Sequence, residues 1–150
     1  AAPRARNIGE RGMERALRRI ARHADGWQTT LLTPEMFKDY LGRIHAMRKE
    51  EGLDNAGFKT SLYYNLNVNP DREEAYWESK AFLDEYYDRD WPKDMVKLWT
   101  AHGSVRQCVE TLKSYMDAGV DHITIRLTAR DQARQFEIYV KEVLPELGIR

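Results

Sequence analysis

The chain has 150 residues, with 24 Lys plus Arg against 24 Asp plus Glu, so its formal net charge is zero. That balance gives no overall attraction to nucleic acid or to an anionic membrane surface, leaving only local patches open. The length suits one domain with a real core, the lone cysteine, Cys108, rules out an internal disulfide, and no run approaches the ~18 apolar residues that span a bilayer.

The start, AAPRARNIGERG, has no apolar core of a signal peptide, so the chain is expected to be soluble and cytoplasmic. It lacks an initiator Met, which reads as processing or, preferably, as a fragment. Four scattered histidines show no zinc-ligand spacing, and no metal is expected.

Residues Ala5 to Gly9 are read as the stub of a strand. Ala16, Leu17, Ile20, Ala21 and Ala24 then recur at helical spacing, predicting a helix over 12–24 with an Arg-rich solvent face. Arg15, Arg18, Arg19 and Arg22 on that face read as solvation rather than as an RNA-binding patch. "DGWQTTLL" predicts a turn and a strand over 27–32. Thr33 and Pro34 have the order of N-cap and first helical residue, and Phe37, Tyr40, Leu41, Ile44 and Met47 form the buried stripe of the helix they open. Gly52 is a plausible stop. From Phe58 to Val68 the apolar and polar residues alternate with the period of a strand, which Asn69, Pro70 and Asp71 end. A helix over about 71–87 is expected to turn Ala75, Phe82, Leu83 and Tyr86 inward, and a short helical connector over about 92–101 leads to Gly103. Ser104 caps a helix carrying Val105, Cys108, Val109, Leu112, Tyr115 and Met116 on one face, closed by Gly119. A strand over 122–128 and a helix over 131–143 finish the chain.

Alternating strand and helix units imply a mainly parallel sheet with crossover helices. With the stub the count is four βα units, half of a (β/α)8 barrel, so the fold class read here is α/β, one incomplete barrel domain over residues 1–150.

The "IGERG" turn, Gly9, Glu10, Arg11 and Gly12, is the first cofactor candidate, because a glycine turn at a helix N-terminus presents free N–H groups and a positive dipole end to a phosphate. Glu10 would repel that phosphate if it pointed inward, and Arg11 is placed to offset it. The competing reading is an ordinary helix-initiating turn with solvated Glu and Arg. In the last strand, Ile123, Ile125 and Leu127 would pack on the helices of a barrel, leaving His122, Thr124, Arg126 and Thr128 inside. Arg126 and Thr128 then sit near the C-terminal rim, where Arg126 meets either an anionic ligand or a neighbouring strand's carboxylate. Asn65 and Asn67 are candidates for the same rim, since an amide hydrogen-bonds a cofactor or substrate edge without a charge to desolvate; turn formation explains Asn67 and Asn69 equally well. No catalytic residue is identified: His23, His45, His102 and His122 lie on separate elements without a nucleophile beside them. The many aromatic residues, among them Trp27, Tyr64, Trp77, Tyr86, Trp91 and Trp99, read as packing.

Two stretches carry a family resemblance. "IGERGMERALRRIARHADGWQT" resembles the strand end, Gly-rich turn, helix and Asp-Gly-Trp of the bacterial luciferase-like family, the flavin- and deazaflavin-dependent barrel oxidoreductases. "HGSVRQCVETLKSYMDAGVDHITIRL" through "EVLPEL" is similar to that family's Gly-Ser/Thr-x-x-x-V helix, Asp-Ala-Gly-Val-Asp turn, last strand and Leu-Pro ending. Between them, "NVNPDREEAYWESKAFLDEYY" sits where members carry a strand and an Asp-x-x-x-Ala helix. The likeness covers the C-terminal half of the family's barrel. It implies an oxidoreductase or monooxygenase using FMN or coenzyme F420 on a small organic substrate, with the Gly9 to Gly12 turn at the flavin phosphate. It also implies a missing N-terminal half, and a half-barrel with open strand edges is expected to pair with that half or with itself. For the 150 residues alone, turnover is left open, with a non-catalytic assembly module as the alternative.

Overall fold

The computed structural model describes residues 5–149, with side chains from Gly9 onward. Helices α1 (Ala5–His23), α2 (Pro34–Glu50), α3 (Arg72–Tyr87), α4 (Lys93–Trp99), α5 (Val105–Asp117) and α6 (Gln132–Ile138) alternate with strands β1 (Gly26–Thr29), β2 (Lys59–Val68), β3 (Thr100–Gly103) and β4 (His122–Leu127). A π-helical turn over Tyr139–Val143 and a last turn, α7 (Leu144–Glu146), follow. Pro145 has no N–H to continue the ladder, and here the Leu144 N–H reaches back five residues to the Tyr139 carbonyl. The fold is thus α/β with parallel pairing, as the element order implied. No helix among the described residues is long and apolar enough to cross a membrane.

The chain divides into two compact units, and the division cuts both β2 and β4. The first unit runs to Tyr63 and includes Tyr115–Thr124. In it β1 pairs in parallel with the first half of β2, Gly26 opposite Lys59 and Thr29 opposite Leu62. A Cβ on Gly26 would lie 2.5 Å from the Lys59 carbonyl oxygen, so only glycine allows this approach. The core holds Leu17, Ala21, Trp27, Phe37, Ile44 and Leu62, with Trp27 stacked on Phe37 at 4.8 Å between ring centroids. Thr33 and Pro34 open α2 as expected, the threonine hydroxyl accepting from the Met36 N–H. Outside, Arg18 meets Glu50 and Arg22 meets Glu51, which ties the polar face of α1 to the end of α2.

The second unit takes Tyr64–Ser114 and the chain from Ile125. Here β3 pairs in parallel with the second half of β2, Asn65 opposite Thr100 and Val68 opposite Gly103. β4 also pairs with β2, and within this unit the Thr128 N–H donates to the Leu66 carbonyl at 3.0 Å.

Several expectations need correction. Residues 5–9 are not a strand: they belong to α1, which breaks only at Gly9 with φ 61° and ψ 173°. The predicted strand over 27–32 stops at Thr29, because Leu31 turns into the left-handed region and the Thr30 hydroxyl bonds the Tyr63 carbonyl instead. The connector hides β3, whose four residues Thr-Ala-His-Gly are too few to show a period. The unit count of four therefore survives with a different member. On α3 the buried residues are Ala75, Tyr76, Ser79, Lys80 and Leu83, while Phe82 is half-buried and Tyr86 exposed. Lys80 is buried because Asp84 and Asp90 neutralise it.

Candidate functional site

The clearest site lies in the second unit, at the C-terminal ends of β2 and β3. Such ends gather the loops on which parallel α/β proteins place their ligands. At the end of β2 the Gln135 side chain replaces a neighbouring strand: its Oε1 accepts from the Val68 N–H at 2.9 Å and its Nε2 donates to the Val68 carbonyl at 2.7 Å. The Asn69 N–H then donates to the Gly103 carbonyl at 2.8 Å, holding the two loops together. Asp71 caps α3 by accepting from the Glu73 and Glu74 N–H groups, and Asp131 caps α6 by accepting from the Arg134 N–H. Ser104 and Gln107 cap α5 reciprocally, with Gln107 Oε1 3.0 Å from the Ser104 nitrogen.

These loops enclose a cavity of about 750 Å³, within the size range of cofactor and small-ligand sites. Its charged wall consists of Glu74, Glu78, Asp131 and Glu142 against Arg106 and Arg134. Glu78 is fixed, one oxygen accepting from Asn67 Nδ2 at 2.8 Å and the other from the Arg130 N–H at 3.0 Å. Four carboxylates against two guanidiniums suit a neutral, hydrogen-bonding group better than a phosphate. No histidine or cysteine lines it, and among the described residues no group of His, Cys, Asp and Glu could hold a metal ion.

None of the predicted rim residues Asn65, Asn67, Arg126 and Thr128 lines this cavity. Asn65, Asn67 and Thr128 are fully buried, so none presents its side chain to solvent. Asn65 Nδ2 donates to the Trp99 carbonyl at 3.0 Å, Asn67 Nδ2 holds Glu78, and the Thr128 hydroxyl lies 2.9 Å from Ser79 Oγ. Asn67 thus supports the wall through Glu78, and the Oδ1 atoms of Asn65 and Asn67 are buried without a hydrogen-bond partner among the described residues. Arg126 sits among aromatic rings: its guanidinium is 4.4 Å from the Tyr86 centroid, 5.2 Å from Tyr87 and 5.9 Å from Trp99, and Nη2 donates to Tyr87 Oη at 3.0 Å. Burial pushes its pKa down. Cation–π contact was not foreseen from the strand pattern. Trp27, Tyr64, Trp91 and Trp99 are buried as packing predicts, whereas Trp77 and Tyr86 are exposed.

The Gly9 to Gly12 turn belongs to the first unit. Gly9 has positive φ and nothing within 4 Å of a Cβ added to it, so the backbone there is openly approachable. Glu10 is turned toward Arg43 at 3.0 Å, which also holds Glu14 at 2.8 Å. The offsetting cation is therefore Arg43 rather than Arg11. The four histidines stay on separate elements. His45 lies edge-on to Phe58, and burial lowers its pKa. Cys108 is fully buried and its thiol is pushed up to about 12 by desolvation, which makes it an inert core residue.

Comparison with known proteins adds the family. A curated relative, an F420-dependent glucose-6-phosphate dehydrogenase of Nakamurella multipartita, is 26% identical over 156 residues, covering 88% of this chain and 45% of its own. The chain therefore spans less than half the length of that relative. Among solved structures, an F420-dependent secondary alcohol dehydrogenase in complex with an F420-acetone adduct superposes with a TM-score of 0.72 at 15% identity, covering 89% of this chain and 46% of the other. A riboflavin lyase with modified FMN and riboflavin superposes with a TM-score of 0.62 at 12% identity, covering 94% and 41%. The model of the luciferase-like monooxygenases matches residues 9–122, and the chain belongs to that family.

Proposed function

We propose that these 150 residues are part of a flavin- or F420-dependent oxidoreductase, with a separate candidate ligand contact in each of the two units. The observation that carries this reading is the cavity at the C-terminal ends of β2 and β3 in a chain of this family. Its acidic, hydrogen-bonding wall suits an uncharged polar edge of the cofactor or of a small organic substrate. The phosphate end is assigned to the Gly9 to Gly12 turn, where Arg43 neutralises Glu10 and the open backbone leaves room for an anion. A bound flavin or deazaflavin would supply the redox chemistry, and the residues described here bind, orient and exclude water. Support for the cofactor class comes from the relatives, whose names specify F420 or FMN.

A second reading, assembly with a missing half or with a second copy, is favoured by β4. His122 and Thr124 are exposed and Ile123, Ile125, Arg126 and Leu127 only half-buried, so no residue of this strand is fully covered. Such a strand invites a covering partner.

One titration tests both readings. FMN and F420 are added separately to the purified chain while fluorescence reports binding and light scattering reports mass. Saturable binding that weakens at least tenfold in Gly9→Val supports the cofactor reading, because valine cannot hold the positive φ of Gly9 without strain. A discrete dimer that binds neither cofactor supports the assembly reading alone. A monomer that binds neither sinks both for this chain.

A further inference from the structure

A second cavity in the same unit, about 310 Å³, shares no lining residue with the first and is lined by Tyr64, Arg72, Glu73, Lys97, Thr100, His102 and Thr111. Its cations come from the start of α3 and the last turn of α4, its hydroxyls from β3 and α5. Neither Arg72 nor Lys97 has an ion-pair partner among the described residues, and Glu73 is the only carboxylate on the wall. Lys97 instead stands 5.2 Å from the Tyr76 ring centroid. Thr100 is only 3% exposed, yet its Oγ1 has no hydrogen-bond partner among the described residues. A buried hydroxyl of that kind needs an explanation, and a ligand is one. His102 completes the wall: Nδ1 lies 3.3 Å from the Arg72 carbonyl, which can only accept, so the hydrogen is on Nδ1 and Nε2 is the free acceptor of the neutral ring.

We propose that this cavity binds a tetrahedral oxyanion, either a free phosphate-type ion or the phosphate of a small phosphomonoester. Two cations without carboxylate partners supply the attraction, and the threonine hydroxyls supply neutral donors. The inference is independent of the redox reading, since it uses neither the cavity at the strand ends nor the Gly9 turn. It also supplies its own reporter. Burial holds the His102 pKa down, the charges of Arg72 and Lys97 lower it further, and only the Arg72 carbonyl and Glu73 act the other way. Tyr76 of α3 packs on the ring at 5.6 Å, and Thr111 is the polar group from α5. An anion between the two cations reverses their effect, so the imidazole must hold its proton more tightly when the site is filled.

The experiment is an NMR pH titration of the whole chain, with the His102 resonance identified by its loss in His102→Gln. Sulfate is the main probe because its charge does not change over the range, and chloride at matched ionic strength is the control. With saturating sulfate, His102 is expected to bind its proton about tenfold more tightly, an effect absent in the Arg72→Gln/Lys97→Gln double variant, whose altered side chains are exposed. Phosphate and glycerol 3-phosphate form the second arm. Tighter binding of the ester assigns the site to a phosphomonoester, and equal or weaker binding assigns it to the free ion. A shift that chloride reproduces, one that survives the double variant, or no shift at all would overturn the proposal.

Discussion

The first unit fills its interior with hydrocarbon, and its buried polar side chains are Thr29 and Thr60, whereas the second buries Asn65, Asn67, Ser79, Lys80, Thr100, Thr128 and Gln135 beside its apolar residues. The contrast follows from what each must build. Where α1 packs on α2, the helices need only close an apolar seam, and their charges pair on the outside through Arg18, Arg22 and Arg43. Where loops gather at strand ends, backbone N–H and C=O groups lose their strand neighbours, and side chains must replace them. Gln135, Asn67 and Glu78 do so, and the same substitution leaves a polar cavity beside them. The first unit is held by an apolar seam, and the second by buried amides beside its polar cavity.

Two substitutions, read by urea unfolding, set these means of stabilisation against each other. Trp27→Ala removes the largest ring of the first core and its stack on Phe37, and is expected to cost about 3–5 kcal/mol. Gln135→Ala removes far less apolar surface. It strands both the Val68 N–H and the Val68 carbonyl, at about 1–3 kcal/mol for each buried group left unpaired. A loss of about 2–6 kcal/mol for Gln135→Ala, overlapping that for a tryptophan, is the expected result. A loss below about 0.5 kcal/mol would mean that water replaces the amide, and the contrast between the units would fail.

The sequence shows the long elements and hides the short ones. The helix opened by Thr33 and Pro34 and the strand from Phe58 to Val68 carry caps and periods that can be read directly, and both are present. β3 has four residues, and four residues hold no period. Lys80 is legible only once Asp84 and Asp90 are known to be neighbours, because a lysine on a helix is otherwise assigned to solvent. The site was legible in part. Alternation placed Asn67 and Thr128 at the right end of the sheet but could not show that they are buried behind Glu78. Glu74, Glu78 and Gln135 carry no motif at all; their roles arise from helices that meet only in the fold. The strand pattern offers Arg126 either an anionic ligand or a neighbouring carboxylate, and it cannot show the aromatic enclosure, which depends on Tyr86, Tyr87 and Trp99, distant along the chain.

The smallest expected effect concerns a polar junction of the first unit. Asp121 Oδ2 accepts from the Thr60 N–H at 2.7 Å and from the Thr60 hydroxyl at 3.0 Å, while that hydroxyl also lies 2.7 Å from the Gly119 carbonyl. The Thr60 N–H bond is the main cause of a lowered Asp121 pKa, with the hydroxyl bond acting the same way and desolvation opposing both. A carboxyl whose pKa is lower in the folded state binds its proton more weakly there than in the unfolded chain. Its stabilisation is therefore full above the unfolded value of about 4 and is lost as pH falls through the folded value. Asp121 is exposed, so solvent screens the effect, and it will be modest. Unfolding midpoints measured from pH 6 down to pH 3 should fall less steeply in Asp121→Asn than in the parent chain, the two curves converging at the acid end. Parallel curves would show that the Thr60 contact does not hold the carboxylate in solution. The junction between β2 and the start of β4 would then rest on backbone groups, with the Thr60 hydroxyl meeting the Gly119 carbonyl and the Asp121 N–H.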